Sequence, residues 1–307
     1  MMRIGVMLSM PGDLTGVAGL VQRAVEAEAA GFASAWLPQV TGLDALTVLA
    51  IAGGATSGIE LGTSVVPTYP RHPVMLAGQA LTVQDATGGR LALGIGLSHK
   101  MMVEGALGLD YSRPIPHMRE YLSVLNGLLA GERVQVSGTE YRVNAQLAVS
   151  NPMKPPVLVA ALGPAMLRLC GRHADGIVTW MGGLPYLRDF AVPALTEAAK
   201  EAGRRAPRVV AMVPVALNGN GETAREAVTA AFRNYGQIPS YRAALDRGGA
   251  EGPADVALAG PEEVIEIGLA AYREAGVTDF VAAIPQLPGA NPGEAYQVMA
   301  AFARAAR

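Results

Sequence analysis

A (β/α)8 TIM barrel carrying insertions is the fold class that this 307-residue sequence predicts. Three observations carry the prediction. Eight short apolar or β-branched runs recur along the chain, each with a longer segment of helical period after it. Their spacing is even and lacks the halfway break between two mononucleotide-binding halves, which a doubly wound open sheet, the alternative topology, would leave. Glycine, at 37 residues, is in excess without any collagen-like period, and it falls between the runs as punctuation. No Pro/Ser/Gly tract of linker character divides the chain, so residues 1–307 read as a single domain.

The elements follow in order. Residues 4–8 (IGVML) read as a strand, and Leu14, Val17, Ala18, Val21, Val25 and Ala29 then keep helical spacing until Gly31 stops them. A second run, 33–37 (ASAWL), precedes a helix over about 44–55. The third, 59–66 (IELGTSVV), leads to a helix that opens at Pro73, whose fixed φ suits a first turn, and closes at Gly88-Gly89. The fourth is 91–95 (LALGI). A longer excursion separates it from a helix with Met118, Tyr121, Leu122, Leu125, Leu128 and Leu129 on one face. Residues 133–136 and 139–143, around Ser137-Gly138, read as a small hairpin inserted between units. Runs at 156–160, 176–179, 209–217 and 278–284 complete the eight strands, with helices near 164–172, 186–202, 222–234 and 261–275. The last of these is expected to pack through Val264, Ile267, Gly268, Ala271 and Tyr272. A final helix over 291–307 takes Asn291 as N-cap and Pro292 in its first turn. Residues 234–255 are rich in turn formers and read as an inserted lid.

Composition bounds the function. Lys plus Arg number 24 and Asp plus Glu 26, a net charge of −2, so there is no basic field for nucleic acid or an anionic membrane. Half the residues are apolar and the mean hydropathy is +0.27, enough for a large core. The longest apolar stretch, 155–167, is broken by prolines and a glycine and falls short of the ~20 residues that span a bilayer. The first residues lack a signal-peptide pattern, which leads to the expectation of a soluble, cytoplasmic protein. Cys170 stands alone, excluding disulfide scaffolds and Cys-rich zinc sites.

In a barrel, chemistry gathers where strands end at their C-terminal side. The third strand ends in Ser64-Val65-Val66-Pro67, and Pro67 cannot donate to a ladder. The run either marks a site or simply ends the strand, with His72-Pro73 capping the next helix. After the fourth strand, Gly94 and Gly96 would let a ligand approach the backbone, and Ser98 and His99 supply polar tips. Crowding inside a barrel explains such glycines equally well. After the fifth, Leu162, Gly163, Pro164 and Ala165 enter a helix whose free N–H groups suit an anion. An ordinary βα turn reads the same. The Gly94-Ile95-Gly96 run is not a dinucleotide fingerprint, because the third glycine would be His99. There is no Walker A lysine motif, no HExxH and no G-x-S-x-G elbow. Histidines 72, 99, 117 and 173 fall in separate units, so no metal site is expected. His173 reads as a helix C-terminal residue, and His117 as either an entrance residue or a solvated one.

Four segments together carry a resemblance: IGVML; GFASAWLPQ; IELGTSVVPTYPRHPVMLAGQALTVQDATGGRLALGIG; and PPVLVAALGPAMLRLCGRHADGIVTW. They resemble the bacterial luciferase-like superfamily of flavin and deazaflavin oxidoreductases, and within it the coenzyme F420-dependent branch. The third segment is the most specific of them. The resemblance implies a barrel with insertions, a homodimer, and hydride transfer between F420 and a small-molecule substrate. It places a non-prolyl cis peptide at Ser64-Val65 behind the deazaflavin ring. Gly96, Leu97, Ser98 and His99 match the strand-four loop that touches the cofactor, and Leu162, Gly163, Pro164 and Ala165 match its phosphate cradle. One departure matters. Sugar-phosphate dehydrogenases of this branch carry an Asp-His pair where this chain has Gln39 and Val40, so the base for alcohol oxidation is missing. Reduction of an activated C=C or C=N bond is the expected direction, with His99 as proton donor or as a hydrogen-bonding partner of the cofactor edge. Trp36, Gln39 and Trp180 are expected to line the substrate cleft, with Tyr69, Met101, Met102 and Met181 nearby, which suits an apolar or aromatic substrate. An FMN-dependent monooxygenase of the same superfamily and a non-catalytic flavin-binding barrel are the alternative readings.

Overall fold

The strands form where β-branched and apolar residues are covered on both faces, as parallel strands with crossover helices require. A computed structural model describes all residues except Pro11, Val40, Asn151 and Arg307. In chain order its strands are β1 (Arg3–Met7), β2 (Ser34–Leu37), β3 (Glu60–Thr63), β4 (Val66–Pro67), β5 (Leu91–Gly96), β6 (Val134–Ser137), β7 (Arg142–Ala145), β8 (Val157–Ala160), β9 (Gly176–Trp180), β10 (Arg208–Leu217), β11 (Leu258–Gly260) and β12 (Asp279–Ala283). The α-helices are α1 (Val17–Ala30), α2 (Ala45–Ala55), α3 (Pro73–Ala86), α4 (Pro114–Leu129), α5 (Pro164–His173), α6 (Leu184–Tyr186), α7 (Val192–Glu201), α8 (Gly221–Phe232), α9 (Pro239–Arg247), α10 (Glu262–Glu274) and α11 (Pro292–Ala305).

Parallel pairing runs β1, β2, β3, β5, β8, β9, β10, β12 and back to β1, closing a ring of eight strands. All eight predicted strands are in that ring. β4 resumes the line of β3 and pairs with β5, while β6 and β7 form the expected antiparallel hairpin. Helix ends follow their chemistry. Asp44 caps α2 by accepting from Thr47 N at 2.8 Å, His72 Nδ1 accepts from Val74 N at 3.3 Å, and Gly31 closes α1 at φ 95°.

One strand is not anticipated by the sequence, and two expectations are corrected. β11 has only three residues and pairs with the outer end of β10, so it has too little sequence of its own to announce a strand. In α10 the buried face is Ile265, Leu269 and Tyr272, whereas Ile267 is 70% exposed, so the expected stripe is rotated about the helix. Leu14 precedes α1 and is 97% exposed; the helix starts only after Gly16. Within 234–255 lies a regular helix, α9, that turn residues had obscured, with Pro239 at its first turn. The expected helix end at Arg307 lies outside the described residues.

Two layers of core hold the barrel. Trp36, Ala92, Leu158, Val178, Val210, Met212 and Val281 fill its interior, and a larger cluster lies between strands and helices. Trp36 takes most of one interior layer, and a side chain on Gly62 would run into its ring. At the N-terminal base, Arg208 reaches Glu60 and Asp279 at 2.8 Å each, and Arg3 binds the same two carboxylates. Among the described residues no helix is long and apolar enough to cross a membrane.

Candidate active site

The C-terminal mouth is shaped first by the interruption of the third strand. The Thr63 hydroxyl donates to Gly94 O at 2.7 Å and accepts from Gly94 N at 2.8 Å, so a side chain takes over the ladder where the backbone leaves it. The Ser64–Val65 peptide is cis, as the resemblance implied. Ser64 N then donates to Leu37 O at 2.9 Å, and the Ser64 hydroxyl is buried without a hydrogen-bond partner. Val65 packs down on the interior cluster, and Val66 and Pro67 resume opposite Ile95 and Gly96. The two glycines of β5 fit this detour. A Cβ on Gly96 would lie 2.6 Å from Val65 Cγ2 and 3.0 Å from Ala160 Cβ, and one on Gly94 would run into the Thr63 carbonyl. Of the two readings of these glycines, crowding by the chain itself is the one these contacts support.

Beyond Gly96 the backbone turns through Ser98 at φ 62°, and Met181 after β9 sits at φ 56°. Left-handed non-glycine residues are uncommon and gather where a site demands a particular backbone path. His99 follows. Its carbonyl accepts from Met102 N and Val103 N at 2.9 Å each, which fixes it at the head of a π-helical turn, Met101–Ala106. Its ring lies edge-on to Tyr241 of α9, centroids 5.4 Å apart and planes at 64°. Burial pushes the His99 imidazole below its ordinary value of 6.5, and the ring is therefore neutral near pH 7.

Across the mouth, α5 begins at Gly163 with no side-chain cap and Pro164 in the first turn; Gly163, Pro164 and Ala165 are exposed. A Cβ on Gly163 would meet nothing within 4 Å, so open space faces the uncapped helix start. The Leu162 carbonyl at the same turn accepts from the Tyr186 hydroxyl. Trp180, half-buried at the end of β9, meets Phe232 and Tyr235 edge-on at 5.7 and 5.8 Å, and Tyr235 meets Tyr241 at 5.4 Å. Trp180 thus stands at the rim beneath the 234–255 segment.

Other expected residues lie elsewhere. Trp36 is corrected: it has no exposed surface, its indole N–H donates to Ser34 Oγ at 2.8 Å, and it fills the barrel interior below the rim. Gln39 accepts from Ala45 N at 3.1 Å, so its amide oxygen serves the start of α2. Val40, its companion in the departing pair, lies outside the described residues. Met181 is buried and Met101 is exposed to solvent. His117 is neither an entrance residue nor solvated: it is 5% exposed, stacks on Tyr69 at 4.0 Å, and its Nε2 lies 3.0 Å from Thr68 Oγ1. Burial lowers it to about 4. Tyr69, half-buried, belongs to an aromatic cluster with His117 and Tyr111. His173 occupies the last turn of α5, as expected. Sequence reasoning missed Tyr235 and Tyr241. Their only signal was the proline-initiated helical spacing inside a segment rich in turn residues. No group of three or more His, Cys, Asp or Glu fit for a metal exists among the described residues.

Comparison with known proteins gives the family and the fold. A family model described as luciferase-like monooxygenase matches residues 2–305. An uncharacterized protein of Mycobacterium tuberculosis is 30% identical over 256 residues, 78% of this chain and 74% of that one. An F420-dependent glucose-6-phosphate dehydrogenase of Nakamurella multipartita is 36% identical over 163 residues, 51% of this chain and 48% of that protein. Among solved structures, the coenzyme F420-dependent tetrahydromethanopterin reductase of Methanopyrus kandleri superposes with a TM-score of 0.83 at 23% identity, covering 97% of each chain.

Proposed function

Because this chain belongs to the luciferase-like monooxygenase family, we propose that it is an F420-dependent oxidoreductase that reduces an activated C=C or C=N bond of a small, apolar substrate. The observation that carries the reading is the pairing of two features on one rim: a buried, unpartnered Ser64 hydroxyl at the strand-three detour and an uncapped, exposed helix start at Gly163. The first is a hydrogen-bonding group awaiting a partner, and the second is an anion site. A flat ring with a phosphate-bearing tail satisfies both, so the residues fit F420. Ser64, Val65, Leu97 and Ser98 would hold the ring, with Gly96 making room behind it for Val65, and Leu162, Gly163, Pro164 and Ala165 the phosphate.

When bound and reduced, F420 supplies a hydride. The chain's own residues do the rest. Val65 offers an apolar surface resting on the filled barrel interior, which supports one face of a ring. Trp180 and the aromatic residues of the 234–255 lid exclude water from the other side. His99 would give its proton to the substrate; because burial lowers its basicity, its protonated form is a better acid than a solvated imidazolium but a minor one at neutral pH. Gln39 supplies no base for the reverse, alcohol-oxidising direction. The catalytic unit is the single barrel with its lid, acting in the cytoplasm on a small molecule, without nucleic acid or membrane as partner. A homodimer belongs to the same reading: α2 carries no charged residue and leaves Ile51 exposed, with the exposed Met75 on the adjoining α3.

Anaerobic turnover tests the proposal. Reduced F420 is expected to be consumed with conjugated enones or cyclic imines and not with secondary alcohols or sugar phosphates. Turnover requiring FMN, a reductase and oxygen would favour the monooxygenase reading. Absence of any redox turnover with either cofactor would favour a binding barrel.

A further inference from the structure

On its own loop the His99 ring is poorly held. Its backbone is tied to the π-helical turn, yet among the described residues no hydrogen bond reaches either ring nitrogen. Among the same residues the ring's one aromatic contact is Tyr241, met edge-on and carried by a different element, α9. Tyr241 is itself wedged by Tyr235, and Tyr235 by Trp180 and Phe232. The far end of α9 rests on the barrel as well: Gly248 abuts Tyr186, a Cβ there lying 3.1 Å from Tyr186 Cβ, and the Tyr186 hydroxyl binds the Leu162 carbonyl. One short helix therefore bridges the ends of β5, β8 and β9.

We propose that Tyr241 is the positioning residue for His99: its ring fixes the imidazole at the rim and keeps water away from it, so that the lid helix governs the proton donor. The inference rests on the role assigned to His99 above. The surrounding charges leave this work to the Tyr241 ring. Lys100, next to His99, is turned to Glu104 at 3.8 Å. Arg242, next to Tyr241, binds Asp246 at 2.7 Å and the carbonyls of Ala250 and Glu251. The Tyr235 and Tyr241 hydroxyls are raised by burial and stay neutral. Loss of water lowers the imidazole's affinity for a proton. Removing the Tyr241 ring readmits water and moves the titration upward, towards 6.5.

The test is histidine NMR on the full chain without cofactor, where only four imidazoles need assignment, that of His99 by loss of its signals in His99→Gln. Tyr241→Phe keeps the ring and is expected to leave the His99 midpoint and ring shifts as in the wild type. Tyr241→Ala is expected to raise the midpoint towards 6.5 and to abolish the ring-current displacement, with His173 unchanged. Tyr241→Leu, which fills most of the volume without a ring, is expected to abolish the same displacement and serves should the alanine variant not fold. An unchanged His99 signal in both Tyr241→Ala and Tyr241→Leu overturns the proposal, as does a Tyr241→Phe shift as large as that of the alanine variant. F420 titration of the wild type, run in parallel, separates the two readings: failure there with an intact Tyr241 effect overturns the cofactor assignment alone.

Discussion

A half-buried imidazole without a charged partner is a weak base, and that governs what His99 can do at the rim. As the proton donor, it must be charged before it acts. Since burial sets its titration below 6.5, kcat/KM is expected to rise as pH falls through 7 and to level off only below that value. His99→Ala is expected to lower turnover roughly 10²-fold or more while F420 still binds, and to flatten this pH profile. Intact turnover in that variant ends the acid role and leaves the cofactor-edge contact. His117 shows the same physics used for structure. Held neutral at about 4 inside a stack with Tyr69, it opposes folding once the unfolded chain takes up a proton. Its contribution is therefore present above 6.5 and lost as pH falls from there to about 4. Thermal melts are expected to show a smaller loss between pH 7 and 5 for His117→Gln than for wild type. The β5 glycines are the third case. Gly96→Ala drives a methyl into Val65 and Ala160 and is expected to weaken F420 binding about tenfold or more. Gly94→Ala meets backbone at Thr63 and is expected to cost roughly 1–3 kcal/mol of stability, read by denaturant unfolding.

At the scale of elements, what is legible depends on whether a segment announces itself locally. The eight barrel strands do, because each must be apolar on both faces and is bounded by turn residues. β11 does not, since three residues earn their strand only by lying against the extended β10. The α10 stripe misleads for a different reason: Val264 and Ile267 are apolar yet face outward, so periodicity alone selects the wrong side. Tyr186 joins elements that no local pattern connects. Its hydroxyl holds the Leu162 carbonyl at the start of the proposed phosphate cradle, while its backbone supports the end of α9. Tyr186→Phe is expected to cost about 1 kcal/mol of cofactor binding, several-fold in Kd, with the fold retained. The third-strand detour is legible as an oddity in Ser64-Val65-Val66-Pro67, but its consequence for Gly94 and Gly96 is a contact across strands that spacing does not contain.

For the whole molecule, the barrel separates stability from chemistry by its two ends. At the base, burial would raise Asp279, but Arg208 and Arg3 hold it below the ordinary carboxylate range, so its contribution is lost as acid protonates it. Arg208→Met leaves Asp279 and Glu60 short of a partner and is expected to cost roughly 3 kcal/mol without changing cofactor affinity. On the side of the barrel, Ile51→Glu is expected to shift a dimer towards monomer in sedimentation, with hydride transfer per site retained. At the mouth, the orphaned Ser64 hydroxyl and the uncapped helix start at Gly163 form the proposed F420 site. The direct measurement is a fluorescence titration of the purified protein with F420 and, separately, with FMN. Saturable binding of F420, weakened in Gly96→Ala and unmatched by FMN, is the predicted result; tight binding of FMN with no response to F420 would contradict it.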